Sequence, residues 1–138
     1  MILNIKSERI EHKVLELIEQ YAIKRYFFLD SSFPMIHLLS NAGESNIAIR
    51  FSEYEGFDTI INMKGKVDLI WVDCFSRLPI TTENYQLLKQ KGFKFCLVSP
   101  ELQGQSEKIK SYKEYLLKNN IIFDAICTKQ YNIDKWKC

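Results

Sequence analysis

Charged or hydroxyl-bearing side chains end six short apolar segments that are spread along the whole chain. Successive segments begin roughly 20 to 30 residues apart, which is the scale of one strand followed by its crossover helix. In barrels of such units, the polar groups at the carboxyl ends of the strands converge on one mouth. The six terminal side chains are Lys6, Asp30, Arg50, Asp73, Ser99 and Lys129.

These residue types suit recognition of an anion that carries several hydroxyl groups. Arg50 can hold phosphate through a two-pronged fork, and Lys6 and Lys129 can do so as point charges. The acidic side chains that could accept sugar or glycerol hydroxyls, or bind a divalent cation, are Asp30, Asp73 and Glu101. Three more residues complete the predicted substrate-binding set, namely Glu53, Ser99 and Thr128. The alternative is that these charges pair with one another and finish the ends of a structural sheet.

The segment 68–75 shows the strand pattern most clearly. Its apolar body, Leu-Ile-Trp-Val, stops at Asp73, and a segment meant only for a core gains nothing from a charge there. A Lys-Gly-Lys sequence precedes it and Pro79 follows, so its length suits a buried parallel strand. The other predicted strands are 2–6, 26–30, 47–50, 94–99 and 124–129.

Helices are predicted between these strands from capping residues and apolar periodicity. His12 lies among charged neighbours on the first of them and is interpreted as a surface histidine, and His37 lies on a helix that otherwise seeks the core. The tail 131–138 is expected to form one turn over an end of the sheet. Three helices are predicted with bounds: 8–23 capped by Ser7, 83–91 capped by Thr81 or Thr82, and 106–118. A further helix near Pro34 is capped by Ser32 and has Leu38 among its inward residues. A weaker helix is opened by a capping box of Ser52 and Glu55.

Length and composition indicate a single α/β domain over residues 1–138. The 46% hydrophobic and 26% charged content is ordinary for a globular protein, and a net charge of +2 is too small to indicate nucleic acid binding. No apolar run is long enough to span a bilayer, and Met1 leads directly into a strand, so neither a membrane span nor a signal peptide is predicted. The four cysteines lack CxxC spacing, which argues against structural zinc and favours a cytoplasmic location.

Six βα units in alternation require a mainly parallel sheet covered by helices, and two architectures fit. A doubly wound, flavodoxin-like sheet gathers its site near one point where the strand order reverses. A TIM-barrel-like arrangement instead uses the ends of many strands. Because every predicted strand ends on a polar group, the pattern favours the incomplete barrel. Sequential strand order is the feature that separates it from the doubly wound alternative.

The order of these strand-end motifs resembles the glycerophosphodiester phosphodiesterase family, within the phosphatidylinositol-phospholipase-C-like TIM barrels. The segment 4–6 (Asn-Ile-Lys) resembles the family's Glu-Ile-Lys strand, 31–33 (Ser-Ser-Phe) its Ser-Phe motif, and 123–129 its closing Val-Asp-Gly-Ile-Ile-Thr-Asp strand. A divergent bacterial branch linked to surface-polysaccharide genes is similar in the segments 50–55, 71–75 and 98–102. The resemblance covers nearly the whole chain as strands three to eight of the barrel, and it implies a phosphorylated glycerol or sugar as the ligand.

The chain departs from this family where the family performs catalysis. The resemblance places the His-Arg-Gly strand, a Glu-x-Asp strand and the acid/base histidines before residue 2, and neither histidine of this chain stands at a corresponding place. Asn4 occupies the position of a metal-binding carboxylate, and Lys129 replaces an acidic residue. Phosphodiester cleavage needs a base and a protonated donor, so the isolated chain is expected to be inactive. No catalytic residue, metal ligand or cofactor is assigned to the isolated chain. Binding of Mg²⁺ or Ca²⁺ is expected only if a further segment completes the barrel.

Two further expectations concern alternatives and partners. A noncatalytic, receiver-like regulatory or interaction domain is the alternative function, with Asp73 as one strand-end acid and Lys129 as a switch lysine. An incomplete barrel leaves two open sheet edges, which are sites of unwanted strand pairing. We therefore expect a second copy of the chain or an upstream polypeptide to cover them.

Overall fold

The computed structural model describes residues 1–137, in which strands and helices alternate strictly. The predicted mainly parallel α/β fold is confirmed, and short 3-10 turns at Pro100–Gln103, Ser106–Lys108 and Gln130–Asn132 follow the last two strands. The elements in chain order are β1 (Ile2–Asn4), α1 (Glu11–Gln20), β2 (Phe27–Leu29), α2 (Phe33–Asn41), β3 (Ala48–Phe51), α3 (Phe57–Asn62), β4 (Leu69–Val72), α4 (Thr82–Gln90), β5 (Lys94–Val98), α5 (Ile109–Lys118), β6 (Ala125–Cys127) and α6 (Ile133–Trp136).

The strands lie in sequential order and all their pairings are parallel. β1 pairs with β2, and β3, β4, β5 and β6 form a four-stranded sheet in that order. A single parallel bridge between Phe28 and Ile47 connects the two sheets. This order has no reversal point, so the doubly wound alternative is wrong. Within residues 1–137 the strands do not close into a barrel.

Both faces of the sheet are buried. The helix-covered face carries the larger apolar cluster, which includes Phe28, Ile70 and Phe95, each without solvent exposure. The opposite face carries a smaller buried cluster around Trp71, whose ring centroid lies 6.2 Å from that of Phe27. Trp71 is only 6% exposed, so apolar side chains cover the middle of that face. Polar residues of this face can therefore reach a ligand only at the carboxyl ends of the strands, where the apolar packing ends.

The predicted cap at Thr81 is confirmed, and Ser32 occupies the predicted N-cap position without a side-chain cap hydrogen bond. α2 begins directly after Ser32, which has extended backbone, and Pro34 lies within its first turn. α4 begins after Thr81, whose hydroxyl accepts the Asn84 N–H at 3.3 Å while the Asn84 side chain accepts the Thr81 N–H at 2.7 Å. These reciprocal bonds satisfy two backbone donors that the first turn leaves free. Gly92, with φ of +90°, follows this helix as predicted.

Two predicted caps are wrong. Ser7 does not cap the first helix, because Arg9 adopts a left-handed backbone (φ +63°) and α1 begins only at Glu11. Ser52 and Glu55 do not form a capping box, since α3 begins after Gly56. The Ser52 hydroxyl instead accepts the Tyr54 N–H at 3.2 Å, and Glu55 turns toward a strand-end arginine.

The remaining predictions concern the surface. His12 and His37 are both exposed on helices, but Leu38, predicted to pack inward, is 55% exposed. The tail forms the turn Gln130–Asn132 and α6, and Cys138 lies outside the described residues. Over residues 1–137, the structure contains no helix with the length and hydropathy required to cross a bilayer.

Candidate functional site

The predicted binding residues lie in three groups at the carboxyl ends of the strands. Glu53 stands apart from the other two groups, in contact with the loop that follows β4. The first group, which we call the Arg50 cluster, comprises Lys6, Asp30, Arg50, Glu55 and Asp73. The second, the Glu101 cluster, comprises Ser99, Glu101, Thr128, Lys129 and Trp136.

Strand register places Arg50 at the centre of its cluster. Arg50 pairs in register with Trp71, so both project from the same sheet face. Its Nη2 donates to Asp30 Oδ1, and Lys6 Nζ donates to the other Asp30 oxygen at 3.3 Å. Asp30 has a left-handed backbone (φ +61°), a conformation that aspartate tolerates better than most residues. Asp30, which follows β2, thereby links Lys6, which follows β1, to Arg50 of β3.

The other contacts of Arg50 are longer than hydrogen bonds. Its Nε lies 3.9 Å from Glu55 Oε1, and its Nη1 lies 3.8 Å from Asp73 Oδ2. The guanidinium carbon lies 5.8 Å from the centroid of the Phe75 ring, within the range of a cation–π contact. About a third of the Arg50 side chain remains exposed. The guanidinium therefore keeps donor capacity for a ligand.

Asp73 is the buried member of this cluster. Its Oδ1 accepts the Cys74 N–H at 3.0 Å and the Gln103 side-chain N–H at 2.9 Å. These donors offset the cost of burying a carboxylate at the end of β4. Because Oδ1 is held in this way, Oδ2 is left facing Arg50. The sequence pointed to Asp73, but Gln103 as its partner could not be identified from the pattern.

The Arg50 cluster carries a net negative charge. Its two cations, Lys6 and Arg50, face three carboxylates, so the formal sum is −1. An anionic ligand must compete with Asp30 for the cations and is expected to bind weakly. Hydroxyl groups meet no such competition, since carboxylates accept their hydrogen bonds readily.

A cleft of about 500 Å³ opens beside Arg50, where β2 and β3 are held together by one bridge only. We call it the β2–β3 cleft. Asp30, Ser31, Arg50, Glu55 and Thr59 contribute its polar lining. The Ser31 hydroxyl is buried and makes no hydrogen bond within residues 1–137, which is unusual for a buried polar group.

The carboxylate of the Glu101 cluster has no comparable spare capacity, although the exposed Lys129 side chain makes no ion pair within residues 1–137. Glu101 accepts hydrogen bonds from the hydroxyls of Ser99 and Thr128 and from the Lys129 N–H at 3.1 Å. Trp136 Nε1 donates to the Ser99 hydroxyl at 2.8 Å. Burial would raise the pKa of Glu101, but these donors outweigh it and lower the pKa below the ordinary carboxyl value. Glu101 thus joins the ends of β5 and β6, and the Trp136–Ser99 hydrogen bond attaches the tail to them.

Glu53 commits one carboxylate oxygen to its own neighbours, while Oε2 is buried and has no hydrogen-bond partner among residues 1–137. One carboxylate oxygen accepts the Ser76 N–H, the Ser76 hydroxyl at 2.6 Å and the Arg77 N–H at 3.2 Å. Burial alone would raise the pKa of Glu53, but these hydrogen bonds lower it to about 2. Glu53 is therefore an anion at neutral pH and holds the loop after β4.

The histidines and the buried thiols offer little for acid/base or nucleophilic chemistry. His12 and His37 are exposed on α1 and α2, and His37 Nε2 lies 3.0 Å from the Asn41 amide nitrogen. Burial raises the pKa of the Cys74 and Cys96 thiols to about 12, so neither is a thiolate at neutral pH. Within residues 1–137, no three His, Cys, Asp or Glu side chains are grouped to hold a metal ion.

Sequence reasoning missed Glu55, Phe75 and Gln103 as members or neighbours of the Arg50 cluster. The sequence pattern assigns Glu55 to a helix cap, and the other two are brought in by loops whose course the pattern does not encode.

Comparison with known proteins finds no matching family model and no matching curated protein.

Proposed function

We propose that this chain is a phosphodiesterase-like domain that binds a phosphorylated glycerol or sugar at the Arg50 cluster and does not hydrolyse it alone. The observation that carries the proposal is Arg50 itself. Its guanidinium is partly exposed, has one short carboxylate contact and lies beside a polar cleft. A phosphate that enters the cleft can take up the remaining donors in a forked contact.

The hydroxyl part of the ligand has acceptors beside Arg50. Asp30 and Glu55 line the cleft as acceptors. Recognition of a polyol depends on several such placed groups rather than on one strong charge. The net charge of the cluster argues for a ligand that combines hydroxyls with one phosphate over a bare polyanion.

The absence of catalysis is part of the proposal. Hydrolysis requires a base to activate water and an acid to protonate the leaving group. Both histidines lie exposed on helices, the thiols of Cys74 and Cys96 are protonated, and Asn4 ends β1 with a neutral amide. We expect no hydrolysis of glycerophosphocholine by the purified chain, with or without Mg²⁺ or Ca²⁺. Robust turnover that depends on either ion would contradict the inactive-domain proposal.

The receiver-like alternative depended on a doubly wound sheet. That architecture builds its site where the strand order reverses. The sequential order from β1 to β6 has no such point, and we do not retain this alternative.

Binding can be tested by isothermal titration of the chain with glycerol 3-phosphate. We expect Arg50→Ala to weaken binding by about 1 to 3 kcal/mol, the scale of a hydrogen bond to a charged group. His12→Ala removes an exposed side chain of α1 and should leave the affinity unchanged. Arg77→Ala is the matched control for loss of a positive charge outside the cluster. Affinity that does not respond to Arg50 would show that the cluster serves only to pair charges at the sheet ends.

The same proposal includes a partner and a location. β1 pairs on one side only, and Met1 and Ile2 are 58% and 44% exposed at that edge. We propose that a second copy of the chain or another polypeptide covers it. A monomer with an unprotected β1 in hydrogen exchange would contradict this.

A cytoplasmic location is the other part of the proposal. The thiols of Cys74, Cys96 and Cys127 are unpaired, as is usual for proteins of that reducing compartment.

A further inference from the structure

Two aromatic rings lie exposed beside the Arg50 cluster. Tyr54 belongs to the loop between β3 and α3 and is 77% exposed, and Phe75 belongs to the loop after β4 and is 37% exposed. Their ring centroids are 6.1 Å apart, with the planes inclined by 47°. We call these two residues the Tyr54–Phe75 pair. Neither ring belongs to either apolar cluster of the fold.

The position of the pair is set by the same residues that form the cluster. Phe75 lies under the Arg50 guanidinium at 5.8 Å from the ring centroid. Tyr54 directly precedes Glu55, whose carboxylate lies 3.9 Å from Arg50 Nε. The backbone N–H of Tyr54 donates to the Ser52 hydroxyl, which fixes the loop at its start. An apolar surface thus borders a set of hydroxyl acceptors and a phosphate-binding cation.

We infer that the organic part of the ligand is a sugar ring, and that Tyr54 and Phe75 provide the surface on which it lies; this inference rests on the proposed function. A sugar ring has an apolar face of C–H groups and an edge of hydroxyls, whereas glycerol is too small to cover an aromatic ring. The pair offers the apolar surface, and Glu55 and Asp30, which both contact Arg50, offer acceptors. Burial of the two rings against a ligand would remove apolar area from water.

The test compares four ligands by isothermal titration: glucose 6-phosphate, glycerol 3-phosphate, inorganic phosphate and the uncharged methyl glucoside. For the unmodified chain we expect glucose 6-phosphate to bind about three- to tenfold more tightly than glycerol 3-phosphate, the range for one aromatic contact. Tyr54→Ala should remove this difference and leave the affinity for glycerol 3-phosphate unchanged. Tyr54→Phe keeps the ring and should retain the preference.

Tyr21→Ala is the matched control for loss of an exposed tyrosine. Tyr21 is 68% exposed and follows α1, where the chain leads toward the start of β2 rather than to a strand end. Its loss should change neither affinity. A melting temperature close to that of the unmodified chain shows that each variant is folded.

The outcomes separate this inference from the proposal on which it rests. Equal affinities for the sugar and glycerol phosphates, unaffected by Tyr54→Ala, would overturn the sugar surface and leave phosphate-ester binding in place. Equal affinities for glucose 6-phosphate and methyl glucoside, both dependent on Tyr54 and neither on Arg50, would support the sugar surface and overturn phosphate recognition. If none of the four ligands binds, both are overturned.

Discussion

The Arg50 cluster and the Glu101 cluster both lie at strand ends, yet they leave very different capacity for a ligand. Arg50 makes one short contact and two at 3.8 and 3.9 Å, beside a cleft of about 500 Å³. Glu101 accepts three hydrogen bonds from residues that directly follow β5 and β6, and Trp136 of the tail donates to one of these, Ser99. Polar residues after strands can therefore serve either recognition or structure, and the number of unused donors and acceptors distinguishes the two roles.

The physical origin of the difference is the identity of the partners. Around Glu101 the donors are the hydroxyls of two short side chains and one backbone N–H. Because these groups have little conformational freedom, holding them in place costs little entropy. Around Arg50 the partners are other charged side chains, and Lys6 is largely exposed. Ion pairs in such positions contribute little to stability and exchange partners readily. The comparison predicts that stability depends on one cluster and binding on the other.

The largest expected effect is on folding. Glu101→Ala should lower the free energy of unfolding by about 2 to 4 kcal/mol, because the donors of Ser99, Thr128 and Lys129 lose a charged acceptor. Urea denaturation measures this change. Glu107→Ala removes an exposed carboxylate from the turn Ser106–Lys108 and should have little effect. Equal losses in the two variants would show that the Glu101 cluster does not hold the tail.

The next effect concerns the geometry of the cation. Arg50→Lys keeps the charge but loses the fork, so affinity for glycerol 3-phosphate should fall by about 1 kcal/mol or more. The free energy of unfolding should change by less than about 1 kcal/mol, since the pairs of Arg50 are partly exposed. A large loss of stability with unchanged affinity would reverse the roles that we assign to the two clusters.

Acid should act on the Glu101 cluster in a defined direction. The pKa of Glu101 is lowered in the folded chain from its ordinary value of 4.5. Its contribution to stability is therefore present above about pH 4.5 and is lost as the pH falls through the lower, folded pKa. Denaturation curves of Glu101→Gln should show a weaker loss of stability in that acidic range than the unmodified chain. Parallel pH profiles would contradict the assignment.

The smallest expected effect comes from the tail. Trp136→Phe removes the donor to the Ser99 hydroxyl and keeps most of the ring, so stability should fall by about 1 kcal/mol, the net contribution of one hydrogen bond. Thermal denaturation can detect a shift of this size. Affinity for glycerol 3-phosphate should remain unchanged, and a loss of affinity would show that the tail reaches the binding site.

The sequence alone determined the strands, two helix starts and the polar residues that end the strands. Alternating apolar segments located six strands, and the caps at Ser32 and Thr81 placed two helices, because these signals act over a few neighbouring residues. The same local rules failed at Ser7 and Ser52. A left-handed Arg9 and the Arg50–Glu55 contact there depend on packing that the local pattern does not contain.

Only the tertiary structure decided which strand-end residues meet. Sequence spacing placed Arg50, Asp73 and Glu101 on one end of the sheet without distinguishing their partners. Strand order, register and the gap between β2 and β3 brought Asp30 to Arg50 and opened the cleft, whereas the tail brought Trp136 to Ser99. These contacts join residues 20 or more positions apart. Their formation depends on how whole elements pack, and a pattern of neighbouring residues carries no information on that packing.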